Sequence, residues 1–224
     1  MPKVKIGGKI MREKERYFLD DLLNRYPSLK CCEEDIEKAF DLLVKVFESG
    51  GKMLVCGNGG SAADSEHIVG ELMKSFIKRR ELTPEAKSEF EPFGEEGKYI
   101  ASKLQGALPA ISISILTAFG TAYINSFDPD LVYAQQVYGL GNKNDVLLVF
   151  SSSGSSKNIY NAVITAKAKD MRVVALTGES SGKIEDLCDV TIKMPAFISP
   201  LVQEYYLPVY HTLAFMLEEY FFEK

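Results

Sequence analysis

Two short apolar runs constrain this chain more than any other feature, because each opens at once into a loop of glycine, asparagine and serine and then into helical text. The first is Lys52-Met53-Leu54-Val55-Cys56, followed by Gly57-Asn58-Gly59-Gly60-Ser61. The second is Asp145-Val146-Leu147-Leu148-Val149-Phe150, followed by Ser151-Ser152-Ser153-Gly154-Ser155-Ser156. Continuous apolar runs of this length suit strands buried on both faces. Further strands are expected at Arg172–Thr177 and Val190–Met194. Strands alternating with helices predict an α/β fold whose mostly parallel sheet is covered on both sides.

The remaining text is mainly helical. Leu19, Leu22 and Leu23 form one stripe, and Ile36, Phe40, Leu43 and Val46 another, which places N-terminal helices over about 12–49. Pro27-Ser28 punctuates between them, and Gly50-Gly51 ends the second. A helix is expected over about 62–78. Residues 79–105 are rich in charge and carry Pro84, Pro92, Gly94 and Gly97, so they read as an insertion or long loop, a candidate lid or interface arm. Helical text returns near 116–122, 131–139 and 158–170. A last helix runs from about Pro200 to the C-terminus, where Pro208 should kink or loosen it. The whole of 1–224 is read as one domain.

Composition narrows the function classes. Hydrophobic residues at 46% and charged residues at 25% are ordinary for a folded soluble protein. A formal charge of −5 gives no electrostatic reason to expect a nucleic-acid partner. Cys31, Cys32, Cys56 and Cys188 contain no C-x-x-C pair, which fits free thiols in a reducing compartment. Residues 1–8 hold no apolar stretch of signal-peptide type. No apolar run reaches the ~18 residues that would span a bilayer. The expectation is a cytoplasmic protein without membrane partners.

The two loops have a recognisable chemistry. The first N–H groups of a helix lack internal partners, and the helix dipole gathers positive potential there. Glycine lets the backbone approach an anion, and serine hydroxyls add donors. Asn58, Gly59, Gly60 and Ser61, and then Ser151, Ser152, Ser153 and Ser156, are therefore candidate phosphate or substrate ligands. Each loop on its own could be only a tight turn with a serine cap. Gly57–Ala62 also fits G-x-G-x-x-A, but no strand ending in Asp or Glu follows about 20 residues later. Neither loop ends in a Walker lysine. No nucleotide cofactor is expected.

The chain has two histidines. His67 shares a helix face with Glu71, four residues on, and Asp64 lies one turn earlier. His211 lies eight residues after Gln203 on the last helix. Separately, each is as well read as a surface or core histidine, or as a solvated glutamate. Together they form a usable acid–base set. His67, Glu71, Gln203 and His211 could also bind a divalent metal such as zinc.

Cys56–Leu72, with Gly57-Asn58-Gly59-Gly60-Ser61 and His67-Ile68-Val69-Gly70-Glu71 inside it, resembles the signature of the phosphoheptose isomerase family, within the sugar isomerase (SIS) superfamily. Phe150–Ile159 is similar to that family's serine-rich phosphate loop. Gln203-Glu204 followed by His211 resembles its C-terminal helix. The resemblance implies a three-layer α/β/α sandwich with about five parallel strands and extra N-terminal helices. It implies aldose–ketose isomerisation of a sugar phosphate through an enediol, with sedoheptulose 7-phosphate the expected substrate. Glu71 would be the base between C1 and C2 and His211 its acid–base partner. Ser61, Ser151, Ser152, Ser153 and Ser156 would hold the phosphate, with Asn58 lining the sugar site. Residues matching His67, Glu71, Gln203 and His211 hold zinc in metal-bound members, and the family forms homotetramers with interface active sites. Three positions depart from the pattern. Ser75, after Lys74, stands where an arginine is usual, Pro200 where an aspartate is usual, and Ser112-Ile113-Ser114-Ile115 where Thr-Thr-Asp is usual. The alternative is a non-catalytic SIS protein, either a sugar-phosphate sensor or a partner of the replication initiator.

Overall fold

The computed structural model describes residues 11–114 and 116–222. The chain opens with α1 (Glu13–Arg25), a 3-10 turn (Pro27–Cys32) and α2 (Glu33–Glu48). β1 (Met53–Gly57) leads into α3 (Gly60–Met73), followed by α4 (Pro84–Ser88), α5 (Gly94–Lys103) and β2 (Ala110–Ser112). Then come α6 (Thr117–Ser126), α7 (Val132–Leu140), β3 (Val146–Phe150), α8 (Lys157–Ala168), β4 (Arg172–Thr177), β5 (Val190–Lys193) and α9 (Ser199–Phe221). The five strands form one sheet in the order β2-β1-β3-β4-β5. Every pairing is parallel, with Cys56 beside Val149 and Gly57 beside Phe150 at the carboxyl ends.

Alternation along the strands divides the core into two layers. Met53, Val55, Val146, Leu148, Phe150, Val174 and Leu176 face α1, α2, α3 and α9. Leu54, Cys56, Leu147, Val149, Val173 and Ala175 face α7 and α8. All are buried, as the unbroken apolar runs require. The result is the expected α/β/α sandwich. After β1 the chain pairs on one side to form β2, then crosses to the other side to form β3. That reversal opens a crevice above the carboxyl ends of β1 and β3, where α/β sheets place ligands.

Three local expectations need correction. Residues 79–105 are not a long loop. They hold α4, a 3-10 turn (Glu91–Phe93) and α5, and an antiparallel bridge between Glu81 and Gln105 closes the excursion. Helix α3 ends at Met73, short of Lys78, because Lys74 adopts extended backbone. The N–H groups of Phe76, Ile77 and Lys78 are instead satisfied by the Glu218 carboxylate at 2.8, 2.9 and 3.0 Å. Helix α9 passes through Pro208 without a break. An interior proline costs about 3 kcal/mol. Its neighbours Tyr206, Val209 and Tyr210 are buried in the core, which offsets that cost.

Glu218 and Arg80 form a fully buried ion pair at 2.7 Å. The guanidinium also donates to the carbonyls of Leu72 (2.7 Å) and Glu71 (3.0 Å), capping the end of α3, and stacks on Phe222. Burial alone would push the Glu218 pKa up. The N–H groups of Phe76 and Ile77, Arg80 and the Lys78 N–H outweigh it and hold the carboxyl below the ordinary glutamate value of 4.5. Stability from such a group is complete above the unfolded-state pKa and is lost as pH falls through the lower folded-state value. Glu218→Ala should therefore lower the unfolding free energy by roughly 3–5 kcal/mol, since it strands a buried charge. Glu218→Gln should flatten the loss of stability on acidification below pH 4.5. Denaturant unfolding followed across that range measures both, and an unchanged acid slope in the glutamine variant would contradict this account.

Candidate active site

The first loop is shaped by its glycines. Gly59, the residue before α3, has φ +57°, a conformation that disfavours any side chain. A Cβ on Gly57 would sit 2.5 Å from the Ser61 carbonyl oxygen, and one on Gly60 would sit 2.9 Å from the Gln203 side chain. In the second loop Gly154 has φ +59° and runs against the backbone of Ser181. These close approaches leave the amino ends of α3 and α8 open above the crevice between β1 and β3.

The two loops touch. Asn58 and Asn158 exchange amide hydrogen bonds of 3.0 and 2.9 Å. Tyr133 donates to the Gly57 carbonyl at 2.7 Å, and its hydroxyl lies 3.2 Å from Asn58 Oδ1. The start of α9 joins the same cluster: Ser152 and Ser199 hydroxyls lie 2.8 Å apart, and Gln203 Nε2 donates to Ser61 Oγ at 3.4 Å. Ser151 is buried and its hydroxyl has no hydrogen-bond partner among the described residues. Ser153 is exposed, and its Oγ accepts only from the Ser155 N–H. Ser156 precedes α8 without making a side-chain cap bond. Hydroxyls and helix ends with spare hydrogen-bonding capacity suit an oxygen-rich anion.

Farther along α3 and α9 lies the titratable group. His67 is seven residues past Gly60, roughly 10 Å down the α3 axis at 1.5 Å per residue. His67 Nε2 is 3.4 Å from Glu71 Oε1 and 3.4 Å from His211 Nε2. The imidazole of His67 thus stands between the carboxylate on α3 and the imidazole on α9. Glu71 is buried, and its second oxygen takes an ion pair from Lys74 at 2.8 Å. Phe76 packs edge-on against His211 with ring centroids 5.1 Å apart, and Phe215 stacks behind Phe76. Burial, then the neighbouring His67, holds His211 below the ordinary histidine value of 6.5, so its imidazole is neutral at neutral pH. Burial raises the Asp64 carboxyl, a shift the Tyr210 hydroxyl and His67 oppose.

Donors about 2.0–2.1 Å from a tetrahedral zinc lie about 3.3 Å from one another. The two 3.4 Å separations around His67 Nε2 match that spacing, and imidazole and carboxylate are donors of the kind zinc takes. Gln203 instead rests on Ser61 and Gly60, two turns up α9 from His211. Among the described residues no group of three or more His, Cys, Asp or Glu side chains is placed so that it could hold a metal ion as it stands.

The structure adds several groups to those the sequence singled out. Lys74 is i, i+3 from Glu71, a spacing that could have marked it. Asn158 lies two residues beyond the serine loop. Ser199 opens α9 beside Pro200. Ser65 and Ser112 share a buried 2.8 Å hydrogen bond below the site. Ser114 exchanges hydrogen bonds with both backbone groups of Gly57, so the segment that lacks the family aspartate braces the first loop. A separate cleft of about 820 Å³, lined by Lys45, Lys143 and Arg172 among others, contains none of these residues.

Known proteins share this fold and this sequence family. The SIS domain model matches residues 18–103 and 105–178. A phosphoheptose isomerase of a Nitratiruptor species is 34% identical over 180 residues, 80% of this chain and 83% of the relative. That of Helicobacter pylori is 34% identical over 197 residues, 88% of this chain and 90% of the relative. The solved phosphoheptose isomerase of Francisella tularensis superposes with a TM-score of 0.69 at 28% identity, covering 92% of this chain and 97% of that one. The Neisseria gonorrhoeae enzyme gives 0.68 at 29% identity, covering 89% and 93%. The chain belongs to the SIS domain family, on its phosphoheptose isomerase branch.

Proposed function

We propose that this isomerase interconverts an aldose and a ketose phosphate, taking sedoheptulose 7-phosphate or a close relative, with Glu71 and His211 moving the protons. The carrying observation is that Glu71, His67 and His211, from two distant parts of the chain, meet through 3.4 Å contacts between α3 and α9, and that α3 begins beside the serine-rich loop that opens α8. The phosphate would rest on Ser61, Ser151, Ser152, Ser153 and Ser156 with the N–H groups of α3 and α8. The sugar would extend along α3, past Asn58 and Gln203, toward His67.

A C–H beside a carbonyl is a weak acid, so its base must be held in contact and the developing enediolate must be stabilised. Glu71 takes the proton from one of C1 and C2 and returns it to the other. Neutral His211 moves the proton between the two oxygens. Positioned acid–base groups of this kind contribute ~10²–10⁴-fold. Lys74 adds a cation beside the reacting end, in place of the family arginine. Zinc, held by His67, Glu71 and His211, is the proposed cofactor, and when bound it would polarise the sugar carbonyl. A homotetramer with active sites at subunit interfaces and a cytoplasmic location are proposed from the family. Among the described residues no helix is long and apolar enough to cross a membrane.

Purified protein with sedoheptulose 7-phosphate tests the reaction. Glu71→Gln and His211→Ala should each lower kcat by at least ~10²-fold and leave the thermal transition in place. If the wild type binds the sugar phosphate but never exchanges the C1 or C2 proton with solvent, the non-catalytic sensor is the correct reading. Elemental analysis of protein purified without chelator tests the metal. One zinc per chain is expected, and a substoichiometric trace would remove zinc from the proposal.

A further inference from the structure

Tyr210 precedes His211 on α9, and its ring points into the core. It is 1% exposed and meets Phe150 edge-on, with centroids 5.7 Å apart. Its hydroxyl stands between two groups of α3: His67 Nδ1 at 2.9 Å and Asp64 Oδ1 at 3.4 Å. The phenol has one proton to give. A carboxylate only accepts, so the contact with Asp64 uses that proton. Given to Asp64, that proton leaves the phenol oxygen to make its shorter contact by accepting from His67, in the tautomer protonated on Nδ1. The other ring nitrogen, Nε2, is left with a lone pair. It is the atom that lies 3.4 Å from both Glu71 Oε1 and His211 Nε2.

We infer that Tyr210, backed by Asp64, is a positioning residue that fixes the tautomer of His67 and so keeps a lone pair on Nε2 at the centre of the site. A partner on one ring nitrogen decides what the other can do. With Nε2 unprotonated, His67 accepts a proton from a substrate hydroxyl or from His211 Nε2–H, and it is also in the form that ligates a metal. The opposite tautomer would aim an N–H at both of its neighbours and deny the site that acceptor. Asp64 contributes by orienting the phenol, one turn of α3 before His67. The inference rests on reading His67, Glu71 and His211 as the acting group of the isomerase.

The test is direct because the chain has two histidines, so one His67→Gln variant assigns both ring spin systems. Long-range ¹H–¹⁵N correlation spectra of the full-length, chelator-treated protein should show His67 as the Nδ1–H tautomer. Tyr210→Phe keeps the ring in its slot and removes only the hydroxyl. It should shift His67 toward the Nε2–H form and lower kcat about 10–100-fold with little change in KM. Finding wild-type His67 in the Nε2–H form overturns the inference, as does a phenylalanine variant whose tautomer is unmoved. A shifted tautomer with unchanged kcat also overturns it, by confining Tyr210 to a packing role. Should the wild type prove inactive on every sugar phosphate while showing the expected tautomer, the functional reading fails and the assignment of the relay stands.

Discussion

The Arg80–Glu218 pair is the interaction on which the active site depends. Glu218 lies on α9, two turns beyond His211, and Arg80 caps the carbonyls at the end of α3, including that of Glu71. One buried ion pair therefore locks together the helix carrying the candidate base and the helix carrying its partner. It also spends its remaining hydrogen-bonding capacity on the turn between them, because the Glu218 oxygens accept from Phe76, Ile77 and Lys78. That turn delivers Lys74 to Glu71 and Phe76 to His211. A buried pair gains little stability over an apolar substitute. Here its geometry sets the register of α3 against α9, which apolar packing alone would leave to slide.

The rest of the site follows from the sheet. Parallel strands with a reversal of order between β1 and β3 put two loop-to-helix junctions side by side. The amino ends of both helices lie at one crevice, which the proposed function assigns to the phosphate. Because α3 begins at that crevice and runs away from it, residues two and three turns along fall at a fixed distance from the anion. A phosphorylated chain molecule held at one end would present its far end to His67 and Glu71. In the proposed reaction the fold would act as a ruler, with phosphate recognition and proton transfer on different stretches of the same helix, and Gly59, at φ +57°, favours a residue without a side chain at the near end.

Much of this was legible in the sequence for a physical reason. Strands buried on both faces must be continuously apolar, and a backbone that wraps an anion must be glycine-rich, so β1, β3 and their loops announced themselves. The pairing of His67 with Glu71 followed from helical spacing. The meeting of α3 with α9 did not, because the contact joins residues 144 positions apart and no local pattern encodes it. Residues 79–105 misled for a related reason. Pro84 sits at the first position of α4, where proline begins a helix instead of breaking it, and Gly94 is the first residue of α5. Arg80 looked like one member of an exposed basic run, Lys78-Arg79-Arg80, and nothing in its neighbours showed that it alone would be buried. Its partner lies 138 residues away.

Of the departures from the pattern that the resemblance implies, the one at Ser75 has an identifiable replacement. Ser75 cannot supply the charge of an arginine, and its hydroxyl instead accepts from the Arg80 N–H, tying it to the capping turn. The positive charge arrives one residue earlier, on Lys74, which the extended backbone after Met73 turns back onto Glu71. An ammonium is a compact charge without the bidentate fork of a guanidinium, so it can neutralise a carboxylate or an enediolate oxygen but imposes less orientation on either. Orientation in this chain comes from elsewhere: the Arg80 cap fixes the backbone of Glu71, and the Tyr210 hydroxyl contacts His67. Proton-transfer groups tolerate a change of supporting residue as long as their relative placement holds. That is why Glu71 and His211 can remain the centre of the site while the residues around them differ.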